Sequence, residues 1–280
     1  MMLSIITINR NNAEGLRKTM ESVLSQTYLD IEYIVVDGSS SDDSVSIIKE
    51  YAQKRENIKW ISEHDSGIYN AMNKGVRMSH GEYTLMLNSG DCFVDEHVIE
   101  RIMPELDGTD IVQGNNIEER AGGVYRNRGY GKSDIDLFDA MKGYFLHQAS
   151  FCRRDLFEQY GYFDESYKMC ADTKFFMACL GIHDATFKYV DIDVVNYDIN
   201  GISAEKNGYW AECHEKELQR VRKELFSNRM FKFMYENDKK IQLYNNLHAH
   251  KWIWNMTMVV ACFRAWLYKQ EPKIKIERIK

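Results

Sequence analysis

Apolar positions over the first ninety residues keep two rhythms, and the rhythms alternate. Leu3 to Ile8 is a short β-rich run that stops at Asn9-Arg10-Asn11-Asn12, after which Leu16, Met20, Val23, Leu24 and Thr27 recur at the three-and-four spacing of one helical face. The run Ile31 to Val36 ends in Asp37-Gly38-Ser39-Ser40-Ser41-Asp42-Asp43. It is followed by an amphipathic stretch with Val45, Ile47, Ile48 and Tyr51, then by a third short strand, Ile58 to Ile61. His64-Asp65-Ser66-Gly67 opens another helix, with Ile68, Ala71, Met72, Gly75 and Val76 on one face. Strands separated by helices of this length predict parallel pairing with right-handed crossovers. That layout puts Asn9, Asp37, Asp65 and Asp91 along one edge.

The next apolar run, Leu85-Met86-Leu87, closes in Asn88-Ser89-Gly90-Asp91, a small-residue turn and one aspartate. Such a turn delivers a carboxylate to the carboxyl end of a strand, where α/β sheets bind ligands, so Asp91 is a candidate for holding a divalent cation on a diphosphate. Asn, Ser, Gly and Asp are also the commonest turn residues, and an ordinary turn is the plainer reading.

Five blocks decide between them. They are Ser4-Ile5-Ile6-Thr7-Ile8-Asn9-Arg10-Asn11, Ser22-Val23-Leu24-Ser25-Gln26-Thr27-Tyr28, Ile34-Val35-Val36-Asp37-Gly38-Ser39-Ser40, Gly67-Ile68-Tyr69-Asn70-Ala71-Met72-Asn73-Lys74-Gly75 and Leu87-Asn88-Ser89-Gly90-Asp91. In order and spacing they resemble the nucleotide-binding half of the GT-A fold glycosyltransferases of family 2, which use nucleotide sugars as donors. The likeness continues less densely to about residue 205. It implies an α/β fold, a Rossmann-like, mostly parallel central sheet with helices on both faces. The domain would span 1–205, with a nucleotide-binding half at 1–95 and an acceptor half at 96–205, and 206–280 would form a C-terminal helical extension.

Carried over by position, the resemblance implies that Thr7, Asn9 and Arg10 border the nucleotide base and that Asp37 hydrogen-bonds to it. The Gly38-Ser39 turn lets the backbone approach. Capping or turn formation is the structural alternative for Asp37. Asp65 lies beside the donor and is also placed to cap the helix near Ser66. Lys74 is either a phosphate contact or a solvated lysine. Asn88, Ser89 and Asp91 face the donor, with Asp91 the ligand of Mn²⁺ or Mg²⁺. The family's commoner pattern carries further aspartates here. Gly90 lacks the one that often contacts the ribose, so that contact falls to Asn88, to backbone, or is absent.

Further along, Leu146-His147-Gln148-Ala149-Ser150-Phe151-Cys152-Arg153-Arg154, Tyr160-Gly161-Tyr162-Phe163-Asp164-Glu165 and Cys170-Ala171-Asp172-Thr173-Lys174 resemble the acceptor half. The likeness implies that Asp172 is the general base that takes the proton of an attacking hydroxyl, with inversion at the anomeric carbon. Helix N-capping is its alternative role. His147 and Gln148 line the same side, unless His147 is a buried histidine satisfied by backbone. His214 sits on an apolar helix face with Leu218, Val221 and Leu225 and reads as packing rather than as a metal ligand. Tyr197 to Ser203 resembles a loop that closes over the donor.

Composition changes this picture little. With 280 residues, 44% hydrophobic, the chain can bury a large core without staples, and its six cysteines show no paired metal spacing, which suggests reduced thiols in a cytosolic setting. Met1-Met2-Leu3-Ser4 carries no basic leader, so the expected location is cytoplasmic.

Charge matters more. Residues 239–280 hold nine Lys or Arg against Glu271 and Glu277, a local +7 that leaves −13 for the rest of a chain with net charge −6. Apolar residues recur at helical spacing from Trp252 to Tyr268, a run shorter than the roughly 20 needed to span a bilayer. The reading is a helix within 252–280 lying on an anionic membrane surface, against a core-packing or homodimer-forming helix. Nucleic-acid binding does not fit the acidic net charge. The expected function is transfer of a sugar from a nucleotide sugar, UDP-linked first, to a glycan or lipid-linked acceptor of bacterial surface polysaccharide. The alternatives are a sugar-1-phosphate nucleotidyltransferase, which normally needs a Gly-rich basic phosphate loop that Asn9-Arg10-Asn11-Asn12 does not supply, and a non-catalytic nucleotide-sugar-binding module.

Overall fold

A computed structural model describes residues 2–199 and 208–227. The first half alternates as expected: β1 (Leu3–Asn9), α1 (Ala13–Leu24), β2 (Ile31–Asp37), α2 (Ser44–Ala52), β3 (Ile58–Ser62), α3 (Ile68–Met78) and β4 (Tyr83–Met86). β1 is parallel to both β2 and β4, and β2 is parallel to β3. Every residue of β2 is buried, and only Ile8 of β1 is partly exposed. Continuous burial is what strands covered on both faces require, and it explains their unbroken apolar runs.

α1 buries Leu16, Thr19, Met20 and Val23, and the helix ends at Leu24, short of Thr27. α3 packs tightly on the sheet at Gly75, where an added Cβ would stand 2.3 Å from Ile6 Cγ2. The core joins Leu3, Ile5, Leu16, Met20, Tyr33 and Leu85 with Phe151 and Val194 from the second half. Burying each of these large apolar side chains stabilises the fold by roughly 1.5 to 3 kcal/mol.

The second half comprises β5 (Cys92–Phe93), α4 (Val98–Ile102), β6 (Ile111–Arg120), β7 (Gly123–Asn127), α5 (Leu137–Lys142), β8 (Ser150–Arg153), α6 (Asp155–Tyr160), α7 (Ala171–Gly181), β9 (Phe187–Tyr197) and α8 (Tyr209–Leu225). The sheet order is β3-β2-β1-β4-β8-β6-β9-β5, with β7 on β6. Parallel pairing dominates only the first four of these. β8 is antiparallel to β4 and β6, β7 to β6 and β5 to β9, while β6 and β9 are parallel. Only β6 and β7 are joined by a tight hairpin, which favours antiparallel neighbours; the other antiparallel partners meet across long connections.

The chain separates into two compact units, Met1–Leu225 and Phe226–Lys280. α8, expected to open a C-terminal extension from residue 206, therefore belongs to the first unit. Glu217 of α8 accepts from the backbone N–H groups of Lys168, Met169 and Cys170 at 2.8, 2.8 and 3.1 Å, satisfying donors just before α7. The basic stretch 252–280, with its membrane or homodimer reading, lies outside the described residues. Among the described residues no helix is long and apolar enough to cross a membrane.

A buried charge holds the amino ends of the strands. Glu32, 6% exposed, accepts from Ser4 Oγ and Lys59 Nζ at 2.6 Å and from the His80 backbone N–H at 2.7 Å. Burial pushes its carboxyl up, but the bonds from Lys59, Ser4 and His80 outweigh this and bring it down to about 2 from an ordinary 4.5. A lowered carboxyl stabilises the fold above its unfolded value, and that stability is lost as pH falls from 4.5 through about 2. The expected loss is roughly 3 kcal/mol. Acid unfolding followed by circular dichroism should show this loss in the wild type and a much smaller one in Glu32→Gln; equal acid sensitivity would refute it.

Candidate active site

The edge formed by the carboxyl ends of β1, β2 and β4 gathers the expected donor-side residues at two depths. Asn9 and Asp37 are register partners. Asp37 is wholly buried and its carboxylate accepts four bonds: from Asn9 Nδ2 at 2.9 Å, Ser40 Oγ at 2.5 Å, Ser40 N–H at 3.0 Å and Ser62 Oγ at 2.7 Å. Burial raises its carboxyl, and these bonds hold it below the ordinary value. Asp37 thus ties three strand ends together beneath the surface.

Thr7 lies at a similar depth. It is fully buried, its hydroxyl donating to the Leu87 carbonyl at 2.7 Å beside the Tyr33 hydroxyl. Arg10 and Ser39, the latter at φ +55°, are exposed on the rim above.

Asp65 is 7% exposed and pinned by Lys74, whose Nζ reaches its Oδ1 at 2.7 Å, the His64 carbonyl at 3.0 Å and Glu63 at 2.8 Å. Lys74 is therefore a clamp on Asp65 rather than a free surface lysine. α3 begins after Gly67 without a side-chain cap, so Asp65 does not cap it.

The Asn88 to Asp91 turn is held from α1. Asn12 Nδ2 donates to the Ser89 carbonyl at 3.2 Å, Thr19 Oγ1 donates to the Asp91 carbonyl at 2.7 Å, and Gly90 N–H donates to Thr19 Oγ1 at 3.0 Å. Sequence reading missed both Asn12 and Thr19, because nothing local links a helix's first turns to a loop some 70 residues on. Asp91 is 4% exposed and accepts from the Asp198 backbone N–H at 2.8 Å. Burial pushes its carboxyl up to about 6, against the lowering effect of that N–H and of His147.

Gly90 sits at φ +108°, and a Cβ there would stand 2.7 Å from Asp198 Oδ2. The place where the family's commoner pattern has another carboxylate is thus filled by a carboxylate from the end of β9. Asn88 adds Oδ1, a buried oxygen without a hydrogen-bond partner among the described residues. Asp91, Asp198 and Asn88 thus bring to one turn the oxygen donors that a hard divalent cation prefers. Among the described residues no group of three or more His, Cys, Asp or Glu is arranged for a metal.

Asp172 lies in the first turn of α7, but the residue at the cap is Cys170, and no side chain caps the helix. The Asp172 carboxylate instead accepts from Tyr69 Oη at 2.8 Å, and its other oxygen lies 2.9 Å from His147 Nδ1. Burial raises the Asp172 carboxyl, and the bonds from His147 and Tyr69 more than offset it, leaving it below its ordinary value. His147 Nε2 lies 3.5 Å from Asn88 Nδ2. One chain of contacts therefore runs from α3 through Asp172 and His147 to the turn that carries Asp91. Gln148, next to His147, is buried.

α3 also fixes the acceptor side. Asn73 donates to the Phe163 carbonyl at 2.8 Å and accepts from Phe163 N–H at 3.0 Å, and both Asn70 and Asn73 donate to Glu165 at 2.9 Å. Through these bonds the Gly67 to Gly75 block joins the two halves. His214 is exposed on α8, not packed on its apolar face, and its carbonyl accepts from Cys170 Sγ at 3.5 Å.

Comparison with known proteins agrees with this layout. The pattern of glycosyl transferase family 2 matches residues 4–163. The chain is 32% identical over 209 residues to an uncharacterized glycosyltransferase of Mycobacterium tuberculosis, covering 73% of this chain and 78% of the relative. It is 30% identical over 211 residues to a PGL/p-HBAD biosynthesis glycosyltransferase of Mycobacterium bovis, covering 72% and 79%.

Among solved structures, Staphylococcus aureus TarS 1-349 in complex with UDP-GlcNAc matches with TM-score 0.61 at 19% identity, over 76% of this chain and 61% of that one. TarS 1-349 alone gives 0.60 at 21% identity, and this chain spans 60% of its length. The mannosyltransferase PcManGT from Pyrobaculum calidifontis, in complex with GDP-Man and Mn²⁺, gives 0.57 at 16% identity, over 79% and 63%. With the relatives at or above the 30% level and the family pattern across more than half its length, this chain belongs to glycosyl transferase family 2 and is a glycosyltransferase of GT-A-like fold.

Proposed function

We propose that the cleft moves a sugar from a nucleotide donor, a UDP-sugar first, to a hydroxyl of a glycan or lipid-linked acceptor, with inversion and with help from a divalent cation. The observation that carries this reading is the link between its two acidic groups: Asp172 to His147 at 2.9 Å, and His147 to Asn88 at 3.5 Å, three residues before Asp91. Arg10 and Ser39 border the nucleotide on the rim, with Asn9, Asp37 and Asp65 as the supporting layer. Asp91, Asp198 and Asn88 would hold the cation, which when bound neutralises charge growing on the departing diphosphate. Asp172 supplies the negative charge that drives removal of the acceptor's proton. Attack from the face opposite the diphosphate inverts the anomeric carbon.

The solved neighbours bound to UDP-GlcNAc and to GDP-Man with Mn²⁺ support a nucleotide-sugar donor. A lipid-linked acceptor and a cytoplasmic, membrane-facing location rest on the basic stretch 252–280. Thermal unfolding of EDTA-treated protein with UDP-, GDP- and dTDP-sugars, with and without Mn²⁺, tests the reading. One donor class at a hundredfold excess over its Kd should raise Tm by roughly 5 to 10 °C, and more with Mn²⁺ than without. Stabilisation by a nucleoside triphosphate with a sugar phosphate, and by no nucleotide sugar, would replace it with nucleotidyl transfer.

A further inference from the structure

We infer that His147 Nε2, rather than an oxygen of Asp172, takes the acceptor's proton, and that Asp172 is the carboxylate behind it. This deepens the reading of the cleft given above and rests on it. Both oxygens of Asp172 are already engaged, one by Tyr69 Oη at 2.8 Å and the other by His147 Nδ1 at 2.9 Å. Tyr69 is 4% exposed, and burial together with the charge of Asp172 pushes its phenol well above the ordinary value, so it stays a neutral donor. A carboxylate that accepts two such bonds is a weak proton acceptor.

The ring beyond it is arranged differently. Nδ1, facing an ionised carboxylate at 2.9 Å, carries the ring proton, an assignment made from the hydrogen-bond network. The neutral ring then bears its lone pair on Nε2, directed towards Asn88 at the carboxyl end of β4. At 3.5 Å this contact is long, and an incoming hydroxyl can replace it. His147 thus stands between the orienting carboxylate and the donor side, an order in which the second group fixes the tautomer and balances the charge of the first. The charged groups facing the ring are Asp172 from α7, in direct contact with Nδ1, and Asp91 from the turn after β4.

In that step the acceptor O–H bond breaks and its proton passes to Nε2. The freed oxygen pair forms the bond to the anomeric carbon, and the bond from that carbon to the diphosphate breaks, its electron pair leaving on the nucleoside diphosphate. The ring later returns the proton to solvent, and Asp172 stays ionised throughout.

The test has two arms on the whole protein. Proton–nitrogen NMR of histidine-labelled protein, with His147 assigned by its loss in His147→Gln, should show a ring protonated at Nδ1 and bare at Nε2, with a strongly downfield Nδ1 proton that disappears in Asp172→Asn. The second arm follows release of nucleoside diphosphate from UDP-GlcNAc, UDP-glucose, UDP-galactose or GDP-mannose in Mn²⁺, water replacing the acceptor. His147→Gln should lower kcat by about 10² to 10⁴ with donor KM within about threefold, and Asp172→Asn should add nothing to the double variant.

His147→Asn, whose amide can keep the bond to Asp172 but has no counterpart of Nε2, should be equally slow. A ring protonated at Nε2 overturns the inference. So does a His147→Gln or His147→Asn variant with wild-type kcat beside an inactive Asp172→Asn, since Asp172 would then take the proton itself. Failure of all four donors to stabilise the wild type would count against the donor reading, while the NMR arm still decides the dyad.

Discussion

Asp91→Asn is expected to lower turnover of the nucleotide sugar by about three orders of magnitude, equivalent to about 4 kcal/mol of transition-state stabilisation, and to abolish the extra thermal stabilisation that Mn²⁺ gives with the donor. The substitution keeps shape and removes charge. In EDTA-treated protein the same variant should be at least as stable as the wild type at neutral pH, because burial holds the Asp91 carboxyl at about 6. A raised carboxyl favours folding below its unfolded value of 3.8, and that contribution is lost as pH rises through about 6. Above that pH the wild type carries a buried charge that asparagine does not. Calorimetry with and without Mn²⁺, beside steady-state release of nucleoside diphosphate, reads both effects. A variant that keeps the Mn²⁺ response would move the cation away from this turn.

Asp37→Ala is expected to be the most damaging single change to the donor half. Four donors, Asn9 Nδ2, Ser40 N–H, Ser40 Oγ and Ser62 Oγ, converge on a carboxylate with no exposed surface, and alanine leaves all of them buried without their acceptor. Each bond to a charged acceptor contributes about 1.5 to 3 kcal/mol, and relaxation or entering water recovers part of the loss, so the net cost is about 3 to 4 kcal/mol. For a chain of this size that is a fall of about 10 °C in Tm. Asp37→Asn, which keeps one acceptor oxygen, should lose about half as much. If urea unfolding showed the alanine variant as stable as the wild type while nucleotide affinity collapsed, Asp37 would be a base contact after all.

How much was legible varied with distance along the chain. The alternation up to β4 could be read because each strand and helix carries its own period, while the register that pairs Asn9 with Asp37 belongs to the assembled sheet. The depth of those residues could not be read. Thr7 and Asp37 look like rim residues in a motif, yet only the assembled sheet shows that Leu87, Tyr33, Ser40 and Ser62 close over them.

Lys74 illustrates the same limit, since its partners Asp65 and Glu63 are brought back by the turn into α3. The mixed pairing of the second half also escaped, because partners such as β4 with β8 and β5 with β9 lie far apart in the chain and nothing local pairs them.

Local pattern alone determined the strand–helix order of the donor half, the edge on which its acidic residues end and the likeness to family 2, since each depends on neighbours within a few positions. Tertiary structure decided the rest. It brought Asp198 from the end of β9 into the space that Gly90 leaves, and it placed Tyr69, His147 and Asp172, drawn from three distant segments, in one contact chain. The reason is physical: a side chain's neighbours across a sheet are set by packing and register, which no single segment encodes, whereas its backbone conformation follows largely from the residues beside it.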